Sequence, residues 1–249
     1  MEKIKFPVHF GLASFFIFIL TGCNQQKNND LWPIIDPLPL SIDIESQIDE
    51  MLPKLTLEQK VGQVIQGDSD SVTPEEVKEY RLGSVLSGGN SAPGPLPYAE
   101  TKNWLEMADK YYNASIDNEG VEIAIPIIWG IDAVHGHANL KGAIIFPHNI
   151  GLGAMNNPDL IEQIAGVTAH ELTISGHDWT FAPTLAVPKD LRWGRSYEGF
   201  SEDPDIVQSY GGRIVIGLQG KFGSDDFMSD GKVISSAKHF LADGATQNG

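Results

Sequence analysis

Cysteine is almost absent from this sequence. Cys23 is the only one among 249 residues, so no disulfide can form within the chain and the fold must hold by packing. Cations are also scarce: Lys and Arg number 17 against 33 Asp and Glu, a formal charge of -16. That balance argues against nucleic-acid binding, which needs clustered positive charge, and against an electrostatic hold on anionic lipid. A neutral partner fits such a surface. There is no internal repeat and no glycine-rich phosphate fingerprint, because Gly211-Gly212 falls inside a helical pattern and not at a strand-to-helix turn. The one metal-like spacing, His135-x-His137, has no evident third ligand. No metal site and no dinucleotide cofactor is therefore expected. What the chain does have is a hydrophobic fraction of 41%, enough for a substantial core and too much for wholesale disorder.

Cys23 has a telling position. Lys3 and Lys5 precede an apolar run from Phe10 to Leu20, which ends in Leu20-Thr21-Gly22-Cys23. A cationic start, a short hydrophobic segment and small residues at a cleavage point form a secretory leader, and the run is too short for a comfortable membrane span. The ending resembles the bacterial lipoprotein signal. The resemblance implies a signal peptide over 1–22, cleavage before Cys23, acylation of that residue, and an exported protein anchored on the periplasmic or cell-surface side of a membrane. Residues 23–40 are polar and then punctuated by Pro33, Pro37 and Pro39, the composition of a flexible tether. The folded domain is expected over 41–249.

Within it, Ile44, Ile48, Met51 and Leu52 mark one face of a helix over Ile42 to Leu55. Thr56 followed three residues later by Gln59 has the form of a capping box. Val61 to Gln66 reads either as more helix or as a first strand. Gly83 to Gly89 reads as a strand and turn, Pro97 to Ala114 as a helix, and Ile125 to Asp132 as a strand buried on both faces. Asn157-Pro158 opens a helix that stops at Gly176, a strand follows at Trp179 to Pro183, and Asp203-Pro204 opens another helix. Val233 to Phe240 is the last strand. Strands alternating with helices make this an α/β chain with a parallel sheet, in about five strand–helix units. The chain reaches Gly249 directly after a strand, so the expectation is part of a larger domain.

Three strand ends carry unusual polar groups: Asp132, the Arg195 loop, and Lys238-His239. In a parallel sheet all three lie at one edge and face one pocket. The loop Asp190 to Pro204 adds Arg192, Trp193, Tyr197 and Glu198. A carboxylate can accept hydrogen bonds from two sugar hydroxyls, while Arg, Lys and His supply opposing groups. Plainer readings stand beside this one. Asp132 can cap a turn, His135 and His137 can be packing residues, Arg195 and Glu198 can form a local ion pair, and Trp129 and Trp193 can belong to the core. Lys238 can also be a Schiff-base lysine, as in an aldolase.

Thr56 to Gln63, Gly130-Ile131-Asp132-Ala133-Val134-His135-Gly136, Leu191 to Arg195 with Ser201-Glu202-Asp203-Pro204, and Ala237-Lys238-His239-Phe240 together resemble the signature blocks of glycoside hydrolase family 3, in the family's order. The resemblance implies the N-terminal (β/α)8 TIM-type barrel of a retaining β-glucosidase or exo-β-glucanase, here incomplete. It assigns Asp132, Arg195, Lys238 and His239 to binding the terminal sugar of a β-glucoside or β-glucan oligosaccharide. There are departures. The Lys-His strand leads into Leu241 to Thr246, not the Pro-Gly-His-Gly loop of the N-acetylglucosaminidase branch, and Leu191 stands where the family has proline. No Ser-Asp-Trp-like motif follows the Lys-His strand, so the nucleophile and the acid/base are expected outside these residues. A non-catalytic sugar-binding lipoprotein remains the rival outside catalysis.

Overall fold

The computed structural model describes residues 40–249. Cys23, the 1–22 leader and nearly all of the 23–40 tether lie outside them. Five strands form one sheet: β1 (Gln66–Asp68), β2 (Ser84–Ser87), β3 (Ile128–Ile131), β4 (Trp179–Thr180) and β5 (Ile234–Ser235). They lie side by side in sequence order and every pairing is parallel. A doubly wound sheet would reverse its order at a switch point. This one does not, so its winding is that of a (β/α)8-type barrel.

The helices begin where local chemistry tells them to. Thr56 and Gln59 form the reciprocal capping box of α2 (Leu57–Gln63), with Thr56 N–H donating to Gln59 Oε1 at 2.8 Å. A second box, Thr73 with Glu76, starts α3 (Pro74–Tyr80), a helix the sequence reading passes over. Asn157 caps α6 (Pro158–Ile174) and Asp203 caps α7 (Pro204–Gln219), each with proline in the first turn. Between them, α4 (Thr101–Ile116) and α5 (Asn149–Ala154) complete the layer. The helix expected from Pro97 starts only at Thr101. The first helix, α1 (Ile42–Met51), runs into a 3-10 turn at Leu52–Lys54 and buries no residue. Its stripe is uncovered, with Ile44 57% and Ile48 44% exposed.

Register shows which face of the sheet is packed. Val85, Trp129, Ile131 and Thr180 share the helix-facing side, and all are buried. The alternate residues Leu86, Ile128 and Trp179 point to the other side, where Ile128 is 40% exposed. The strand at Ile125 to Asp132 is therefore buried on one face among the described residues, not on both. Its apolar run serves an outer face against helices and an inner face that these elements leave open. The core sits between sheet and helices, with Trp104, Leu172, Tyr210 and Leu218 in its centre. α6 and α7 approach closely at Gly217, where an added Cβ would lie 2.4 Å from the Glu162 carbonyl and 2.6 Å from the Ala165 Cβ.

Candidate functional site

The strand ends at Trp179 to Pro183 and Val233 to Phe240 are shorter than the sequence pattern implies, since β4 and β5 span only two residues each. Beyond them a further parallel bridge, Thr184 to Lys238, joins the two segments one residue out of the β4–β5 register. Asp132 follows directly on β3, Arg195 lies in the loop after β4, and Lys238 and His239 lie after β5. All four occupy the carboxyl edge of the sheet.

Their side chains meet there. The Lys238 ammonium contacts an Asp132 carboxylate oxygen. Arg195 grips Glu198 with two parallel bonds, Nε to Oε1 at 2.7 Å and Nη2 to Oε2 at 2.6 Å. The same Nη2 lies 3.2 Å from His239 Nε2. On its far side His239 Nδ1 is 2.5 Å from Asp243 Oδ2. The structure thus brings together the four candidates Asp132, Arg195, Lys238 and His239, and adds two further carboxylates to them. Glu198 was legible from its spacing to Arg195. Asp243 was not singled out, although four residues from His239 is a spacing that permits contact. The Arg195 guanidinium holds the Glu198 carboxyl below its ordinary range, against an opposing effect of burial. Glu198 in turn pushes Arg195 further up.

The loop bearing Arg195 is pinned from below. Asn149 Nδ2 donates to the Glu198 carbonyl at 2.7 Å. Gly153 lets the Phe200 carbonyl pass where a Cβ would sit 1.7 Å away. The loop after Asp132 is pinned too: Asn139 Oδ1 accepts from Gly89 N–H at 3.0 Å, and its Nδ2 donates to the Gly89 carbonyl at 3.1 Å. Beside the site, the His135 and His148 rings lie tilted at 36° with centroids 4.3 Å apart, and Tyr197 meets His148 edge-on with centroids 4.7 Å apart. His135 Nδ1 is 2.9 Å from the Phe146 carbonyl. His137 points away into the core. Trp129 is a core residue, whereas Trp193 is half-buried beside Gly244. No group of three metal-ligating side chains occurs among the described residues.

A singly wound parallel sheet with its polar side chains gathered at the carboxyl edge defines a (β/α)8-barrel type of domain. The chain belongs to glycosyl hydrolase family 3: residues 56–249 match the family's "Glycosyl hydrolase family 3 N terminal domain". Over 214 residues it is 32% identical to a lysosomal beta glucosidase of Dictyostelium discoideum, covering 78% of this chain and 25% of that protein. A periplasmic beta-glucosidase of Salmonella typhimurium is 35% identical over 127 residues, which is 51% of this chain and 15% of that protein. The crystal structure of an exo-1,3/1,4-beta-glucanase from a Pseudoalteromonas species superposes with a TM-score of 0.80 at 48% identity, over 85% of this chain and 26% of that one. The chain spans about a quarter of the first of these proteins and of that crystal structure.

Proposed function

We propose that this chain is the sugar-gripping part of an exo-acting, retaining β-glucosidase that removes terminal β-D-glucosyl residues from β-glucosides or β-glucan oligosaccharides. The observation that carries the reading is the meeting of Asp132, Arg195, Lys238 and His239 at one edge of the sheet. A hexose hydroxyl both donates and accepts. A cluster that alternates carboxylate, ammonium, guanidinium and imidazole can satisfy several neighbouring hydroxyls at once. In the sugar-bound state Asp132 would accept from two adjacent hydroxyls, with Lys238 and Arg195 donating to them.

A retaining glycosidase also needs two carboxyl groups ~5 Å apart, one to attack the anomeric carbon and one to protonate the leaving oxygen and later activate water. The carboxylates at this edge are already committed: Asp132 to Lys238, Glu198 to Arg195, Asp243 to His239. They suit holding a sugar, not attacking it. In this reading the nucleophile and the acid/base come from parts of the enzyme outside these 249 residues. Names of the relatives, beta-glucosidases and an exo-beta-glucanase, support the substrate class. An aldolase role for Lys238 has less support, because its amine contacts a carboxylate and not the apolar or cation-rich surroundings that activate a Schiff-base lysine.

The complete enzyme containing this chain is expected to bind D-glucose by calorimetry, while the 249-residue chain alone should show no turnover of p-nitrophenyl β-glucoside. Asp132→Ala and Arg195→Ala should each abolish the binding heat. Turnover by the chain alone, or glucose binding that survives both substitutions, would sink this division of labour. Export and anchoring at Cys23 belong to the same proposal. Radiolabelled palmitate should enter the wild-type protein in a bacterial host, and Cys23→Ala should release it from the membrane fraction.

A further inference from the structure

Asp243 is not among the four residues that the family blocks assign to the sugar, yet its carboxylate closes the cluster. We propose that Asp243 is a positioning residue for His239. It takes the imidazole's proton at Nδ1, so that Nε2 accepts from Arg195 and holds the guanidinium in place beside the sugar. This rests on the glycone-site reading above and adds to it the direction of one hydrogen bond.

The geometry leaves one arrangement. Arginine has donors and no acceptor. Arg195 Nη2, 3.2 Å from His239 Nε2, must therefore meet a lone pair there. The ring proton then sits on Nδ1, where Asp243 Oδ2 receives it at 2.5 Å. The two hydrogens of Nη2 are both accounted for, one on Glu198 Oε2 at 2.6 Å and the other on His239. Glu198 Oε1 takes Arg195 Nε at 2.7 Å, so the guanidinium plane cannot swing. Lys238, the remaining charge beside His239, is turned toward Asp132. The result is an ordered series of carboxylate, guanidinium, imidazole and carboxylate, with every proton direction fixed by the carboxylate at each end. Asp243 is 18% exposed and His239 36%, so the anchoring oxygen is sheltered while the ring faces the opening.

The orientation has a chemical purpose. Lys238 and Arg195 offer the sugar only donors. An unconstrained histidine favours its proton on Nε2, which would set that N–H against the Arg195 Nη2 donor. Asp243 reverses that preference. His239 then accepts from Arg195, so the guanidinium is held between Glu198 and the imidazole and its Nη1 is kept in place for a sugar hydroxyl.

Selective 15N labelling of histidine in the full-length protein tests this, with His239→Gln identifying the signal. His239 should show a protonated Nδ1 and a bare Nε2. Asp243→Ala should move the proton to Nε2, whereas Asp243→Asn, whose amide oxygen still accepts, should leave it on Nδ1. D-glucose affinity should fall about tenfold in Asp243→Ala and stay within about threefold in Asp243→Asn. In a His239→Ala background Asp243→Ala should cost nothing further, because it acts through the ring. An unchanged tautomer in Asp243→Ala, or an additive loss in the double variant, would overturn the proposal. If His239→Ala leaves glucose affinity intact, the glycone reading fails instead, and the tautomer result alone decides what Asp243 does.

Discussion

Glu198 and His137 show how differently two buried polar side chains can serve one domain. Glu198 is 11% exposed and accepts from Nε and Nη2 of Arg195. Removing it would leave a guanidinium with a single weak partner. Glu198→Ala is expected to weaken glucose binding by about fivefold to tenfold and to lower unfolding free energy by about 1–3 kcal/mol. Calorimetry and urea titration read the two effects separately. His137 makes no hydrogen bond through either ring nitrogen and lies against Trp104 and His177. Burial pushes its pKa from 6.5 down to about 4, and His177 is held well below its ordinary value for the same reason. Both are therefore neutral in the fold. Below pH ~6.5 the unfolded chain binds protons that the folded chain refuses, so stability falls as pH drops toward ~4. His137 should account for roughly 2–3 kcal/mol of that loss by pH 4.5. Urea unfolding across this range should show it, and His137→Leu should flatten the slope without abolishing it, because His177 still titrates.

Among elements, the pair α6 and α7 depends on one residue without a side chain. With the Glu162 carbonyl and the Ala165 Cβ both inside 3 Å of any added carbon, Gly217→Val should force the helices apart. The expected loss is about 1–3 kcal/mol or more, visible as a lower thermal midpoint, while Gly212→Ala, in open space on the same helix, should be neutral or stabilising. Helix boundaries were the most legible part of the fold. Asn157-Pro158 and Asp203-Pro204 stop and start the chain with their own side chains and ring constraints, and α6 ends at Ile174 as the Gly176 signal implies. Strand boundaries were less legible. The two-residue β4 and β5 are defined by where neighbouring backbones diverge, which apolar patterning does not record. α3 was passed over because its seven residues offer only one buried side chain, Val77.

At the scale of the whole described chain, residues 40–249, the decisive feature is a sheet packed on one side by those residues. Val85, Trp129 and Ile131 are sealed by helices while Ile128 and Ile234 remain exposed opposite them. β1 and β5 are edges that lack a partner on one side among the described residues. Unpaired edges and an uncovered apolar face favour association. Residues 40–249 purified alone should bind a hydrophobic fluorophore and sediment as aggregates, with Ile128→Ser and Ile234→Ser reducing both signals. A monodisperse, dye-silent preparation would show that the open face is covered in some other way.

The order of elements, the helix caps and the parallel alternation of strand and helix follow from residues a few positions apart, and so they can be read along the chain. The polar residue types at three strand ends were equally legible, and so was the Arg195–Glu198 pair, whose partners are three residues apart. Tertiary structure alone decided that Lys238 meets Asp132, that His239 sits between Arg195 and Asp243, and that one face of the sheet is sealed while the other stays open. Those outcomes depend on strand register and on loop paths pinned by Asn139, Asn149 and Gly153. Contacts of that kind join residues remote in sequence, and no local preference of the chain specifies which pairs will meet.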